Sequence, residues 1–144
     1  MVKSRELPRV SYLVKWVERG LRTRLDAALA DSDVTTQEYT TLSVLYDRDG
    51  LSSAQLARRA FVTPQAMNQL VISLERRGLL ERSPDENHSR ILRARLSKRG
   101  RALVEQCDLA TQHVEKQLLA GLSRSDVATL RHLLQGCAAS LGAS

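Results

Sequence analysis

The sequence predicts a mainly α-helical fold with one small β-hairpin near its middle. Three observations carry that prediction. Apolar residues recur at steps of three and four over most of the 144 residues, the spacing of one helix face. The period shortens to two only between residues 80 and 96. Gly50, Gly78 and Gly121 fall where the helical stretches end, as helix-stopping glycines do.

The first helix is predicted from residue 7 to about residue 29. Val10, Leu13, Val14, Val17, Leu21, Leu25, Ala28 and Leu29 form its stripe, with Pro8 in the first turn. Thr35 or Thr36 caps a second helix, with Gln37 and Glu38 in its first turn, and Asp47-Arg48-Asp49-Gly50 ends it. Ser52 and Gln55 match a capping box that opens a short helix with Leu56, Ala57 and Ala60 inside. Phe61 and Val62 link tightly to Thr63, which caps the next helix. Pro64 takes its first position, and the helix runs to Arg77 and stops at Gly78. Residues 80–83 and 90–96 read as strands. In the second, Leu92, Ala94 and Leu96 alternate with Arg93 and Arg95, and PDENHS makes a polar tip between the two. Ser97 caps a second long helix to about residue 119, striped by Leu103, Val104, Cys107, Ala110, Val114 and Leu118. Ser123 or Ser125 starts the last helix, where Val127, Leu130, Leu134, Cys137 and Leu141 repeat as a heptad seam.

Composition narrows the class. Hydrophobic residues make up 42% and charged residues 26%, as in an ordinary folded domain, and the length fits a single domain over residues 1–144. Aromatics are 3%, so the core must be aliphatic. No run of about 18 apolar residues is present, and MVKSRELPRV lacks the apolar stretch of a signal peptide. The expectation is a cytoplasmic protein with no membrane partner. Cys107 and Cys137 lack CxxC spacing, and His88, His113 and His132 are scattered. There is no HExxH, no GxSxG and no Walker or Rossmann glycine pattern. No metal, cofactor or catalytic residue is assigned, and an enzyme is not predicted.

Charge is unevenly placed. The net charge is +6. Residues 51–101 hold 11 Lys and Arg against 4 Asp and Glu, a balance of +7; the rest comes to −1. A basic centre between neutral ends fits a polyanion-binding module, and on charge alone it fits a solvated arginine-rich surface equally well. Yet the helix opening TPQAMNQLV carries neutral amides. On a helical wheel Leu70, Val71 and Leu74 cluster about Met67 as the buried stripe. Gln65, Gln69, Ile72 and Arg76 lie opposite, with Asn68 at the edge and Ala66 on the flank. Two helices joined by a tight turn and followed by a hairpin fit a winged helix-turn-helix over residues 34–100. An amide offers a donor and an acceptor on one plane, the pattern that matches adenine in the major groove. The candidate recognition-helix residues are therefore Thr63, Gln65, Ala66, Asn68, Gln69 and Arg76.

The stretches LSSAQLARRAFVTPQAMNQLVISLERRGLLER and SPDENHSRILRARLSKRG resemble the MarR family (multiple antibiotic resistance regulators). LE-x-x-G-L at residues 74–79 carries the resemblance. So does D-x-x-x-x-R followed by L-[ST]-x-x-G, here Asp85, Arg90, Leu96, Ser97 and Gly100. The resemblance implies a homodimeric regulator of double-stranded DNA, in which the first, fifth and sixth helices (residues 1–32 and 101–144) form the dimer interface. It also implies a wing that crosses the minor groove through Arg90, with His88 and Arg93 beside it and Asp85 bracing the wing and Arg90. Three positions depart from the family pattern. His88 stands where many members have Asp. Phe61 stands where many have Gly, so this turn need not demand a left-handed residue. Ile72 lies on a face that is often polar, and both a thymine-methyl contact and a contact to another helix end fit it.

The stripes of the end helices exceed what the central module could cover, and a two-fold dimer would bury them. Family members often hold small aromatic acids or lipophilic compounds between the dimer helices and the winged module. Tyr12, Trp16, Arg19, Tyr39 and Tyr46 are the candidate pocket residues, although the same aromatics could simply pack the helix junction. Cys107 and Cys137 sit on apolar stripes, where cysteine acts as a small hydrophobe. The expected function is a sequence-specific transcriptional repressor on a pseudo-palindromic operator. The alternatives are a nonspecific architectural DNA-binding protein and a cysteine-based redox-sensing regulator.

Overall fold

The computed structural model describes residues 8–143. Among these residues, six α-helices and three short strands follow in the order α1 (Val10–Leu29), α2 (Thr36–Asp47), β1 (Leu51–Ser52), α3 (Ser53–Arg59), α4 (Pro64–Arg76), β2 (Leu80–Pro84), β3 (Leu92–Leu96), α5 (Lys98–Leu118) and α6 (Arg124–Ser140). A 3-10 turn, Ala30–Ser32, closes α1. Among the described residues no helix is long and apolar enough to cross a membrane.

Side-chain caps set most of the helix starts. Thr35, Ser52, Thr63, Ser97 and Ser123 each accept the backbone N–H three residues on, from Glu38, Gln55, Ala66, Gly100 and Asp126. Three are reciprocal capping boxes, completed by Glu38, Gln55 and Asp126. Each such cap is worth about 1 kcal/mol. The first helix differs from expectation. Pro8 lies ahead of the flanking Arg9, outside the first turn, and the predicted start at residue 7 lies outside the described residues.

The predicted hairpin is part of a three-stranded antiparallel sheet ordered β1-β3-β2. Leu51 pairs with Ala94, and Leu80 through Pro84 pair with Leu96 through Leu92. A two-residue strand is too short to show alternation, and the capping signal at Ser52 masked it. β3 begins at Leu92, two residues later than expected, because Arg90 and Ile91 belong to the turn. Only Ala94 of the alternating trio is buried; Leu92 is exposed and Leu96 half-buried.

The core is aliphatic. Leu42, Leu45, Leu56, Met67, Leu74 and Leu80 are fully buried within one cluster that reaches Val104 of α5. A smaller cluster, Leu29, Val34 and Cys107, joins the end of α1 to α5. The start of α5 lies directly on the chain leaving α4. A Cβ on Gly100 would stand 1.9 Å from the Leu79 carbonyl oxygen, so only glycine allows this approach.

The turn between α3 and α4 corrects one expectation. Phe61 has φ 57°, squarely left-handed, and its side chain is 81% exposed. The turn does demand a left-handed residue, and a phenylalanine fills the place at a steric cost. Phe61→Gly is expected to stabilise the protein by about 0.5–1 kcal/mol, since little packing is lost. Chemical denaturation would check it, and a lower midpoint would contradict the strain.

The end helices leave their stripes open. Leu29 is the only buried residue of α1, and α6 has none. Val14, Trp16 and Val17 on α1, and Leu130, Leu133 and Leu134 on α6, are exposed in the protomer.

Candidate nucleic-acid interface

The interface starts from the way α4 is held. Met67, Val71 and Leu74 are buried, and Leu70 packs beside them, so the helix cannot roll. Gln65, Asn68, Gln69, Ile72 and Arg76 are exposed on the remaining surface. Ala66 is half-buried, and the Thr63 hydroxyl is taken by the N–H of Ala66 at 3.2 Å. Asn68 is engaged as well: the Ser53 hydroxyl donates to its Oδ1 at 2.7 Å, bridging α3 to α4.

Two ion pairs brace the module around this helix. Arg82 on β2 grips Glu75 near the end of α4 with both ends of its guanidinium, Nε to Oε2 at 3.0 Å and Nη2 to Oε1 at 3.2 Å. Those bonds hold the Glu75 carboxyl below its ordinary pKa, so the grip persists near neutral pH. Arg77, just past α4, donates to Glu38 Oε2 at 3.0 Å and to the Asp33 carbonyl at 2.6 Å, tying α4 to the start of α2.

In the wing, the brace falls on a different arginine from the one expected. Asp85 pairs with Arg93 at 3.2 Å, and Arg93 also donates to the Gly50 carbonyl at 2.8 Å. Arg93 lies on β3 opposite Ser83, within reach of Asp85, while Arg90 sits in the turn. The Arg93 hydrogen bond lowers the Asp85 pKa, so this pair too stays charged near neutral pH. Arg93 is thereby committed to the frame of the wing. Arg90 and His88 are exposed in the turn, which the Ile91 N–H closes onto the His88 carbonyl at 2.9 Å.

These pairs also refine the charge count. Arg77, Arg82, Arg93 and Arg101 of the basic centre are each paired with a carboxylate. Arg58 and Arg59 at the end of α3, Arg76 on α4 and Arg90 in the wing are exposed. Sequence reasoning missed Ser53, Glu75, Arg77 and Arg82 as positioning residues. Their partners lie 7 to 44 positions away, with no local pattern to mark them.

The five candidate effector residues do not converge. Tyr12 and Trp16 meet on α1 in a tilted contact, with ring centroids 5.0 Å apart and planes at 54°. Trp16 also lines a cleft of about 380 Å³ between α1 and α5, with Val17, Leu21, Arg24, Val114 and Leu118. Arg19 lines a neighbouring recess beside Trp16. Tyr39 and Tyr46 instead pack α2 on α5. Tyr39 donates to Asp108 at 2.5 Å, and burial and that bond raise its pKa. Tyr46 donates to Glu105 at 2.9 Å beneath the Arg101 guanidinium. Cys107 is buried, which pushes its thiol pKa up and away from the reactive thiolate; Cys137 is exposed on α6.

A capped helix pair whose second helix is clamped from behind, with a braced three-stranded wing, defines a winged helix-turn-helix protein, a class built to seat one helix in a DNA groove. The MarR family profile matches residues 32–91. The HTH-type transcriptional repressor Rv2887 of Mycobacterium tuberculosis is 36% identical over 126 residues, covering 88% of this chain and 91% of the relative. The crystal structure of Rv2887 in complex with DNA superposes with a TM-score of 0.75 at 33% identity, over 91% of this chain and 98% of that one. The Rv2887 complex with salicylic acid gives 0.74 at 34%, over 92% and 98%. This chain belongs to the MarR family.

Proposed function

We propose that the protein is a transcriptional repressor that binds a pseudo-palindromic operator as a homodimer and is released by a small aromatic or lipophilic ligand. It acts by binding, not by catalysis. The observation that carries the reading is the outward amide face of α4, Gln65, Asn68 and Gln69, on a helix locked by Met67, Val71 and Leu74. Arginines around that face hold phosphates without regard to sequence. The amides discriminate between bases, at about 1–3 kcal/mol for each good pair. The DNA and salicylic acid complexes of Rv2887 support both halves of the reading. For the ligand, the cleft walled by Trp16 with Arg24 at its side offers an apolar face and a cation suited to an aromatic carboxylate.

The test is the triple variant Gln65→Ala, Asn68→Ala, Gln69→Ala. Affinity for a duplex selected by the wild-type protein should fall at least about tenfold, while affinity for a scrambled duplex changes little. Equal losses on both duplexes would replace this reading with a nonspecific architectural protein. Arg90→Ala should weaken binding to both duplexes and reduce the slope of log K against log salt by about 1. An unchanged slope would remove Arg90 from the phosphate or minor-groove contacts.

A further inference from the structure

One residue on the outward face of α4 is out of keeping with the rest. Gln65, Gln69, Ile72 and Arg76 follow one another at steps of four, three and four, so they form one stripe along the helix. All four are exposed. Three of them are polar. Ile72 is a branched hydrocarbon, 40% exposed, and belongs to neither buried cluster of the protomer. Its place on the stripe is fixed from both sides. Val71 before it and Leu74 after it are buried, and Arg82 grips Glu75 three residues on. A β-branched side chain on a helix is held almost entirely to one χ1 rotamer, and isoleucine has no polar end to turn. The methyl groups of Ile72 therefore face outward with the amides. Along the axis they stand about 4.5 Å beyond Gln69, little more than one base-pair step.

We propose that Ile72 is a specificity-determining residue that reads the C5-methyl group of a thymine in the major groove. The inference rests on the repressor reading above and deepens it, by adding a thymine to the bases that the amides select. The other groups on the base edges of that groove are hydrogen-bond donors or acceptors: N7 and O6 of guanine, the cytosine amino group, N7 and the amino group of adenine, and O4 of thymine. Seating an isoleucine against one of those strips water from a polar atom and gives it no partner. Against the thymine methyl nothing polar is lost, and both hydrocarbon surfaces leave water. One buried carbon of this kind is worth roughly fourfold in affinity.

The experiment uses the full-length protein and a duplex selected from a random-sequence pool by the wild-type protein. Each thymine is replaced in turn, in both half-sites, by deoxyuridine, which lacks only the methyl group. Affinities are measured for wild type, Ile72→Ala and Ile72→Val. At one thymine wild type should lose about fourfold for each half-site changed. Ile72→Ala should bind the thymine and deoxyuridine duplexes alike at that position, while any loss at other thymines is kept. Ile72→Val, which retains the branched methyl groups, should keep most of the wild-type loss. Alanine suits an exposed helix position, so the variant keeps the fold.

Three outcomes overturn the inference while leaving the repressor reading intact. The first is a wild type indifferent to deoxyuridine at every thymine. The second is an Ile72→Ala variant that keeps the full deoxyuridine loss wherever wild type shows one. The third is a selected half-site that holds no thymine. If wild type binds selected and scrambled duplexes alike, the repressor reading fails, and this inference with it.

Discussion

Replacing Gly100 with alanine is expected to destabilise the protein by about 3 kcal/mol or more, a large loss for one methyl group. The added Cβ would lie 1.9 Å from the Leu79 oxygen and 2.9 Å from its carbonyl carbon, both backbone atoms. That carbonyl cannot swing aside, because it accepts the Ser97 N–H at 3.2 Å and belongs to a buried residue. Relief requires α5 to lift from the end of α4. Lifting would break the Ser97 hydroxyl bond to the Gly78 carbonyl at 2.6 Å and open the core at Val104. In thermal denaturation the midpoint should drop by roughly 6–12 °C for a chain of this size. A midpoint within about 2 °C of wild type would mean that the approach relaxes cheaply.

Leu130→Asp combined with Leu134→Asp is expected to abolish dimerisation and, with it, tight operator binding. Both leucines are exposed in the protomer, and α6 as a whole has no buried residue. The substitutions therefore leave the protomer's own core untouched while placing charges on the apolar seam. Sedimentation should report a single chain of 16.1 kDa instead of twice that mass, with helical circular dichroism retained. Operator affinity should fall by a factor on the order of a hundred or more, because two linked recognition helices gain that much over one. A variant that remains dimeric would put the interface on other surfaces.

Much of this fold is written locally in the chain. The caps at Ser52, Thr63 and Ser97 and the stop at Gly78 are short-range signals, and the helices start and end within a few residues of where those signals place them. The buried stripe of α4 follows from its period alone. What was illegible is non-local or too short. β1 is two residues long and becomes a strand only by pairing with Ala94 and Arg93. The Asp85 partner could not be chosen between Arg90 and Arg93 without knowing where the wing turns. Phe61 shows the limit of residue preference, since a glycine-like backbone is imposed there by the helices on both sides. In the candidate site, the outward set Gln65, Asn68 and Gln69 is readable from the wheel, whereas the bond between Ser53 and Asn68 is not. Grouping Tyr12, Trp16, Tyr39 and Tyr46 into one pocket rests on residue type alone, and type does not report that Tyr39 and Tyr46 are anchored to α5 by Asp108 and Glu105.

α5 has a mechanical consequence. It is 21 residues long, about 31 Å, and its first turn is fixed to the end of α4 through Gly100 and Ser97. Its far half lies beside Trp16 and Val17 of α1 across the cleft. Such a helix is a lever arm. A tilt of roughly 10° at the cleft end would carry the reading end sideways by about 5 Å, nearly half the width of a major groove. Small angular play at that cleft would thus be magnified into misregistration on the duplex. Two protomers splayed in opposite senses would double the error in the spacing of their reading heads.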